Sequence, residues 1–381
     1  MVFYVKQGEL PKKRHTLFMK DGKIIREEVF GTETFFGRYS LLYHLNPPTR
    51  VIKLGEWKSF SIKEWEESGY RHHKLSTSKL GNSSDPFIDR KPLLYNDELV
   101  LSYAKLESNS PYFYRNADFD EVYYLHTGEA KFESVFGELE IKEGDYLLIP
   151  RGTTYTFEIR KPSEFFIIEG KKIEVPKRYR NEYGQLMEGS FYYYRDIRTP
   201  TLRTFDEKGE YRVVIRSEKG FQVVFVDYHP FDVVGWDGYL FPFAISVYDL
   251  EPITGKIHQP PIVYTTFTGE NFAICTFVPR LFDYHPEAVP ISYYHENIDA
   301  DEVIFYSSGQ FMSRRGITKG DITVHRGGHA HGPQPGALES SLEKRGKLND
   351  EVAILVETQK RLKLSIYAKE IDDPNYPLSW V

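Results

Sequence analysis

Chemistry-bearing side chains are concentrated in two short stretches near the C-terminus. PISYYHENIDADE carries His295 and Glu302, and GDITVHRGGHAH carries His325, His329 and His331. Imidazole and carboxylate are the side chains that hold divalent transition metals, and imidazole is also the natural proton acceptor near neutral pH. A single histidine in an aromatic-rich protein is more often a satisfied core or surface residue. These do not stand alone, because the stretches have a partner copy in the first half. NADFDEVYYLHTG followed by GDYLLIPRGTTY repeats the pattern of NIDADEVIFYSSG followed by GDITVHRGGHAH. Glu121 to Gly128 and Glu302 to Gly309 are both seven steps, and Gly144 to Tyr155 and Gly320 to His331 are both eleven. Where the second copy has His295, Glu302 and His331, the first has Tyr114, Glu121 and Tyr155. Phenols, with a pKa near 10, are poor ligands at neutral pH, so only the second copy has a full donor set.

The surrounding sequence says what must position these residues. Short β-branched and aromatic runs such as EVYYLHTGEAKFES, ELEIKEGDYLLIP, FQVVFVDYH and AILVETQKRLKLSIYA alternate with Gly, Pro, Asn and Asp. That is the grammar of strands and turns. Only Ile62–Ser68 and Ala337–Arg345 suit short helices, so the expected class is all-β. With 381 residues, 40% hydrophobic and 15% aromatic, the chain can build two cored domains. The polar, turn-rich stretch 195–211 is the expected junction, giving domains 1–200 and 201–381. The first 80 residues and the region 225–260 exceed the repeat and are expected to be interface or lid.

Composition narrows the function classes. A net charge of −6 shows no basic excess for nucleic acid or an anionic membrane. No window approaches the roughly 20 apolar residues of a membrane span. The single cysteine, Cys275, excludes an internal disulfide framework and fits a reducing cytoplasm. It lies in the apolar run 271–278 and is expected to be a small buried hydrophobe rather than a nucleophile.

The repeat resembles the two sequence motifs of cupins, small jelly-roll β-barrels. Glu121 to Gly128 and Gly144 to Tyr155 fit them in the first half, and Glu302 to Gly309 and Gly320 to His331 in the second, which implies a bicupin. The resemblance implies that His295, Glu302 and His331 point into the second barrel and hold a metal. The first barrel would then be metal-free and structural. Two histidines and one carboxylate match the facial set of non-haem Fe(II) oxygenases, which leaves three positions open. Four-ligand cupins carry a further histidine where this chain has Asn297. Asp301 is an alternative carboxylate, but its side chain would face the other side of the strand.

A narrower resemblance covers about residues 30 to 370. PISYYHENIDADE, RGGHAHGPQPGA, RYSLLYHLNPPTR and the first-half copy are similar to segments of homogentisate 1,2-dioxygenases. That family implies Fe(II) as cofactor, O2 and a small aromatic substrate, and opening of homogentisate to maleylacetoacetate in tyrosine and phenylalanine catabolism. It also implies a homo-oligomer, a hexamer built from trimers. By the same resemblance His258, in KIHQPPIVYTTF, is the acid/base histidine, and His325 is a substrate-contacting or outer histidine. Phe311 stands where the family has a substrate-contacting tyrosine, and a pocket that loses a polar anchor often takes a related substrate. Arg50 is a candidate for the substrate carboxylate. The alternatives are a dioxygenase of a related hydroquinone or dihydroxybenzoate, a cupin sugar-phosphate isomerase and a non-catalytic bicupin. Isomerases of that kind use zinc and basic phosphate-binding residues, and no basic cluster surrounds 295–331 in the sequence.

Overall fold

The long aromatic runs of the first half become the two longest strands, Asp120–Ser134 and Thr154–Gly170. The computed structural model describes residues 3–67, 69–311, 314 and 316–381. The two strands pair antiparallel with register shifts between Leu125 and Ala130, and such bulges bend a strand enough to wrap it around a barrel. They sit in a twelve-stranded sheet. A six-stranded sheet carries the second half, in the order Thr265–Gly269, Phe272–Phe277, Val352–Thr358, Asp301–Ser308, Asp321–His325, His73–Ser76. The chain is mostly strand with a few short helices, as the turn-rich sequence led us to expect.

Period-two alternation splits the apolar residues between two cores. Tyr123, Leu125, Tyr155, Phe157 and Phe165 fill the first barrel together with Phe87 and Tyr114. Their neighbours Val122, Tyr124, Phe166 and Ile168 point outward, into a large cluster with Val303, Phe305, Val324, Ile354 and Val356 of the second sheet. Phe166 and Phe305 stack there with centroids 4.8 Å apart. The inner face of the second sheet is narrower, with Cys275, Ile304, Tyr306, Ala353 and Leu355. Cys275 is buried, and burial pushes its thiol up to about 12, so it is the inert hydrophobe expected.

Two expectations need correction, the helix at Ile62–Ser68 and the junction at 195–211, and the helix at Ala337–Arg345 is present. Residues 62–67 are not helical, and Ser68 lies outside the described residues. The Trp65 N–H bonds to the Leu364 carbonyl at 2.7 Å and Glu64 bridges to Ser365, so that backbone is spent on another segment. Ala337–Ser341 is an α-helix, continued by a 3-10 turn over Leu342–Lys344. The stretch 195–211 is not where the sheets part. Lys208–Ser217, Gly220–Tyr228 and Phe243–Ser246 all belong to the first sheet, while His73–Ser76 joins the second. Strand pairing outweighs chain order, because an unpaired edge strand would leave its backbone groups exposed.

Candidate metal centre and adjoining cavity

Glu302 lies mid-row on the inner face of the second sheet. Its cross-strand neighbours are His325 on one side and Glu357 on the other. The His325 Nδ1–H donates to Glu302 Oε1 at 2.6 Å, and His325 Nε2 accepts from the Tyr376 hydroxyl at 3.1 Å. Burial holds the His325 ring well below its ordinary pKa, so it is neutral. Burial alone would raise the Glu302 carboxyl, but the imidazoles of His295, His325 and His331 outweigh it and keep the group ionised.

His295 and His331 flank this strand row. The two residues lie on irregular chain, joined by an isolated antiparallel bridge in which each N–H donates to the other's carbonyl at 2.9 Å. Gly328, with φ of +74°, supplies the left-handed turn that brings the second segment back. The His295 Nδ1–H donates to the Tyr293 carbonyl at 3.0 Å, and the His331 Nδ1–H to the His329 carbonyl at 3.2 Å. A carbonyl can only accept, so both rings present an Nε2 lone pair when neutral. These atoms lie 3.6 Å and 3.4 Å from the Glu302 oxygens. One ligand atom from each of the three residues falls within 4.8 Å of the others, and the His331 Nε2 is buried without a hydrogen-bond partner among the described residues. A divalent cation fits this donor set. The Glu302 carboxylate draws His295 above its ordinary pKa, so a cation would compete there with a proton.

His295 and Glu302 open onto a cavity of about 110 Å³, close to the roughly 150 Å³ apolar void known to admit benzene. Tyr264, Phe277, Ile291, Ile304 and Leu355 give it apolar walls. His258 lines it too, half-buried. Its ring meets Tyr293 edge-on at 5.3 Å, its Nδ1 is 4.0 Å from Asp283 Oδ2, and its Nε2 has no partner among the described residues. Burial, with Arg280 and His295 nearby, lowers its pKa. The ring is therefore unprotonated at neutral pH, as a proton acceptor must be.

The first barrel repeats this geometry with different chemistry. Tyr114 pairs with Tyr155 as His295 does with His331, and Glu121 faces Glu169 as Glu302 faces Glu357. The Tyr155 hydroxyl donates to Glu121 Oε2 at 2.7 Å. Arg90 donates to Glu121 Oε1 at 2.9 Å and to the Tyr114 hydroxyl at 2.5 Å, and lies 3.7 Å from Glu169. A guanidinium thus supplies the positive charge inside that barrel.

The remaining sequence candidates fare unevenly. His325 does not line the cavity and spends both ring nitrogens on Glu302 and Tyr376, which leaves none for a substrate. Phe311 also lies off the cavity lining, packed on Tyr306 at 4.9 Å. Arg50 is a half-exposed partner of Asp227, away from the cavity. The expected lack of basic groups is also corrected, since Arg280 and Arg314 line the cavity. The sequence reading missed these two arginines and Tyr376. It also missed His72, which accepts the Arg326 N–H at 3.1 Å and contacts the Ala330 carbonyl at 3.2 Å. None of the four stands at a motif spacing, so no local signal marked them.

The fold and site define a two-barrel protein with one barrel equipped for a metal. A family model described as "Homogentisate 1,2-dioxygenase N-terminal" matches residues 97–250. A provisionally named dioxygenase of Saccharolobus solfataricus is 73% identical over 100% of this chain and 99% of its own length. Homogentisate 1,2-dioxygenases of Rhizobium meliloti and Legionella pneumophila are 26% and 24% identical, over 87% and 93% of this chain and 79% and 89% of theirs. A cupin 2 conserved barrel domain protein of Leptotrichia buccalis superposes at a TM-score of 0.36 with 11% identity, over 79% of this chain and 100% of that one. The chain belongs to the homogentisate 1,2-dioxygenase family, bicupins among the ring-cleaving dioxygenases. Among the described residues no helix is long and apolar enough to cross a membrane.

Proposed function

We propose that this chain is an Fe(II)-dependent dioxygenase that opens the ring of a dihydroxylated aromatic acid, homogentisate to maleylacetoacetate. The observation that carries the reading is the asymmetry between the barrels. One holds two aimed imidazoles and an ionised carboxylate within 4.8 Å of one another beside an aromatic cavity, and the other holds an arginine at the matching place.

His295, Glu302 and His331 would hold the iron, which when bound supplies the site where the hydroquinone and O2 meet and exchange electrons. This chain's own residues do the rest. His325 and Tyr376 fix the plane of the Glu302 carboxylate. His258 accepts a hydroxyl proton from the ring at Nε2, the nitrogen with no other partner. Tyr264, Phe277 and Leu355 pack the ring and keep water out. The first barrel, closed by strands as late as Phe243–Ser246, serves as structural support without a metal. Exposed Ile257, Tyr284, Tyr293, Tyr294 and Ile298 support a homo-oligomer.

A second reading takes a related hydroquinone as the substrate. Metal analysis with oxygen uptake on a panel of hydroquinone acids tests both. One iron per chain and stoichiometric O2 consumption with homogentisate is the expected result. Uptake with another panel member alone selects the second reading, and no uptake with any removes the function.

A further inference from the structure

The cavity lining sets two guanidiniums, Arg280 and Arg314, among three carboxyls, Asp283, Glu302 and Glu351. A divalent cation on Glu302 would remove the opposing charge of that carboxylate. The two arginines are differently placed. Arg314 is largely enclosed. Its Nε donates to the Tyr306 hydroxyl at 3.3 Å, another of its nitrogens donates to the Gly332 carbonyl, and its guanidinium lies 5.9 Å from the Trp380 ring. Arg280 spends one N–H, on the Val278 carbonyl at 3.1 Å, in the hydrogen bonds of the described residues. A guanidinium has five N–H donors in a planar fork matched to a carboxylate.

Arg280 is also held ready. Its backbone pairs with Asn349 in a two-stranded ladder. Its guanidinium lies 5.1 Å from the ring of Phe277 and 5.5 Å from that of Tyr264, two walls of the cavity. Its nearest acid, Glu351, stands at 3.6 Å, longer than a hydrogen bond. Burial raises the pKa of Glu351 and of Asp283 beside it, which weakens both as competitors.

We propose that Arg280 is the specificity-determining residue that receives the carboxylate of the aromatic acid. This rests on the proposed function, and it names the group that turns a hydroquinone site into a hydroquinone-acid site. The test compares homogentisate with methylhydroquinone, which keeps the ring and both hydroxyls but has no charge. Turnover is followed by oxygen uptake, and binding is followed separately by calorimetry on protein loaded with Zn(II), which does no redox chemistry. The wild type is expected to favour the acid by ~10–100-fold, the range for a hydrogen bond to a charged group. In Arg280→Gln that preference falls to within about 3-fold through KM and Kd, and methylhydroquinone is unaffected. Arg280→Lys keeps the charge without the fork and falls between, so the series remains readable if the Gln variant does not fold. An Arg280→Gln or Arg280→Lys protein with the full wild-type preference overturns the proposal, as does a wild type that binds both ligands equally. If acid discrimination in binding tracks Arg280 while no hydroquinone is oxidised, the ring-opening function fails and the carboxylate site stands.

Discussion

Replacing His325 by leucine separates an imidazole that positions a ligand from one that touches substrate. The change keeps the side chain's bulk and removes the 2.6 Å donor to Glu302 Oε1. Glu302 is buried and ionised, so the lost bond is a charge-assisted one, worth about 1.5–3 kcal/mol. At about 1.4 kcal/mol per factor of ten, metal affinity should weaken ~10–150-fold, in line with the ~10–100-fold usual for removing the partner of a metal-ligating side chain. Tyr376→Phe removes only the 3.1 Å hydroxyl contact to the far nitrogen of the same ring and should cost about tenfold or less. Competition between the protein and a fluorescent chelator measures both, with turnover recorded at saturating metal. KM for the aromatic acid should stay within about threefold of the wild type. A His325→Leu protein with unchanged metal affinity and a KM raised tenfold or more would refute the reasoning and return His325 to the substrate.

Other outcomes follow from the same geometry. His295→Ala, Glu302→Ala and His331→Ala should each lose both bound metal and turnover, and a variant retaining one metal ion per chain removes that residue from the ligand set. His258→Ala should keep its metal and lose ~10²–10⁴-fold in turnover. Because burial lowers the His258 pKa, the wild-type rate should fall only as pH drops below about 6.5, where the ring gains a proton and stops accepting one. Metal affinity should also fall with pH, but from above about 6.5, since His295 has a raised pKa and must lose its proton to bind. Arg90→Leu leaves Glu121 buried without its cation, while Glu169 keeps Arg216 at 2.9 Å, and should cost about 3–5 kcal/mol in denaturant unfolding. Adding Glu121→Gln should recover part of it, and strictly additive losses would mean that Arg90 and Glu121 are uncoupled.

How much of this was legible in the sequence depended on whether a residue's role was local. Glu302 and His331 were visible because a cupin strand and turn put them at spacings that recur in the first half. The strands were visible because aromatic runs alternate with turn residues. Arg280, Glu351 and Tyr376 converge on the site from segments far apart in the chain, and no spacing records that. His325 was seen with two roles left open: its strand parity gives the face on which it lies, while the group it meets depends on the register with Glu302. The stretch Ile62–Ser68 was expected to suit a short helix. The backbone bond from Trp65 to Leu364 decided otherwise.

The strand His73–Ser76 reaches its partner only late in synthesis. Ser76 and Asp321, which face each other in register, are 245 residues apart. At ribosomal rates of ~5–20 residues per second, the strand waits roughly 12–50 s for its neighbour, and His72, which braces the Arg326–His331 turn, waits with it. Tyr376, which fixes the ring behind Glu302, emerges later still. The arginine-filled barrel can close while the chain is still growing, and the barrel with His295, Glu302 and His331 cannot. The His295, Glu302 and His331 donor set is therefore assembled only after nearly all of the chain has been made.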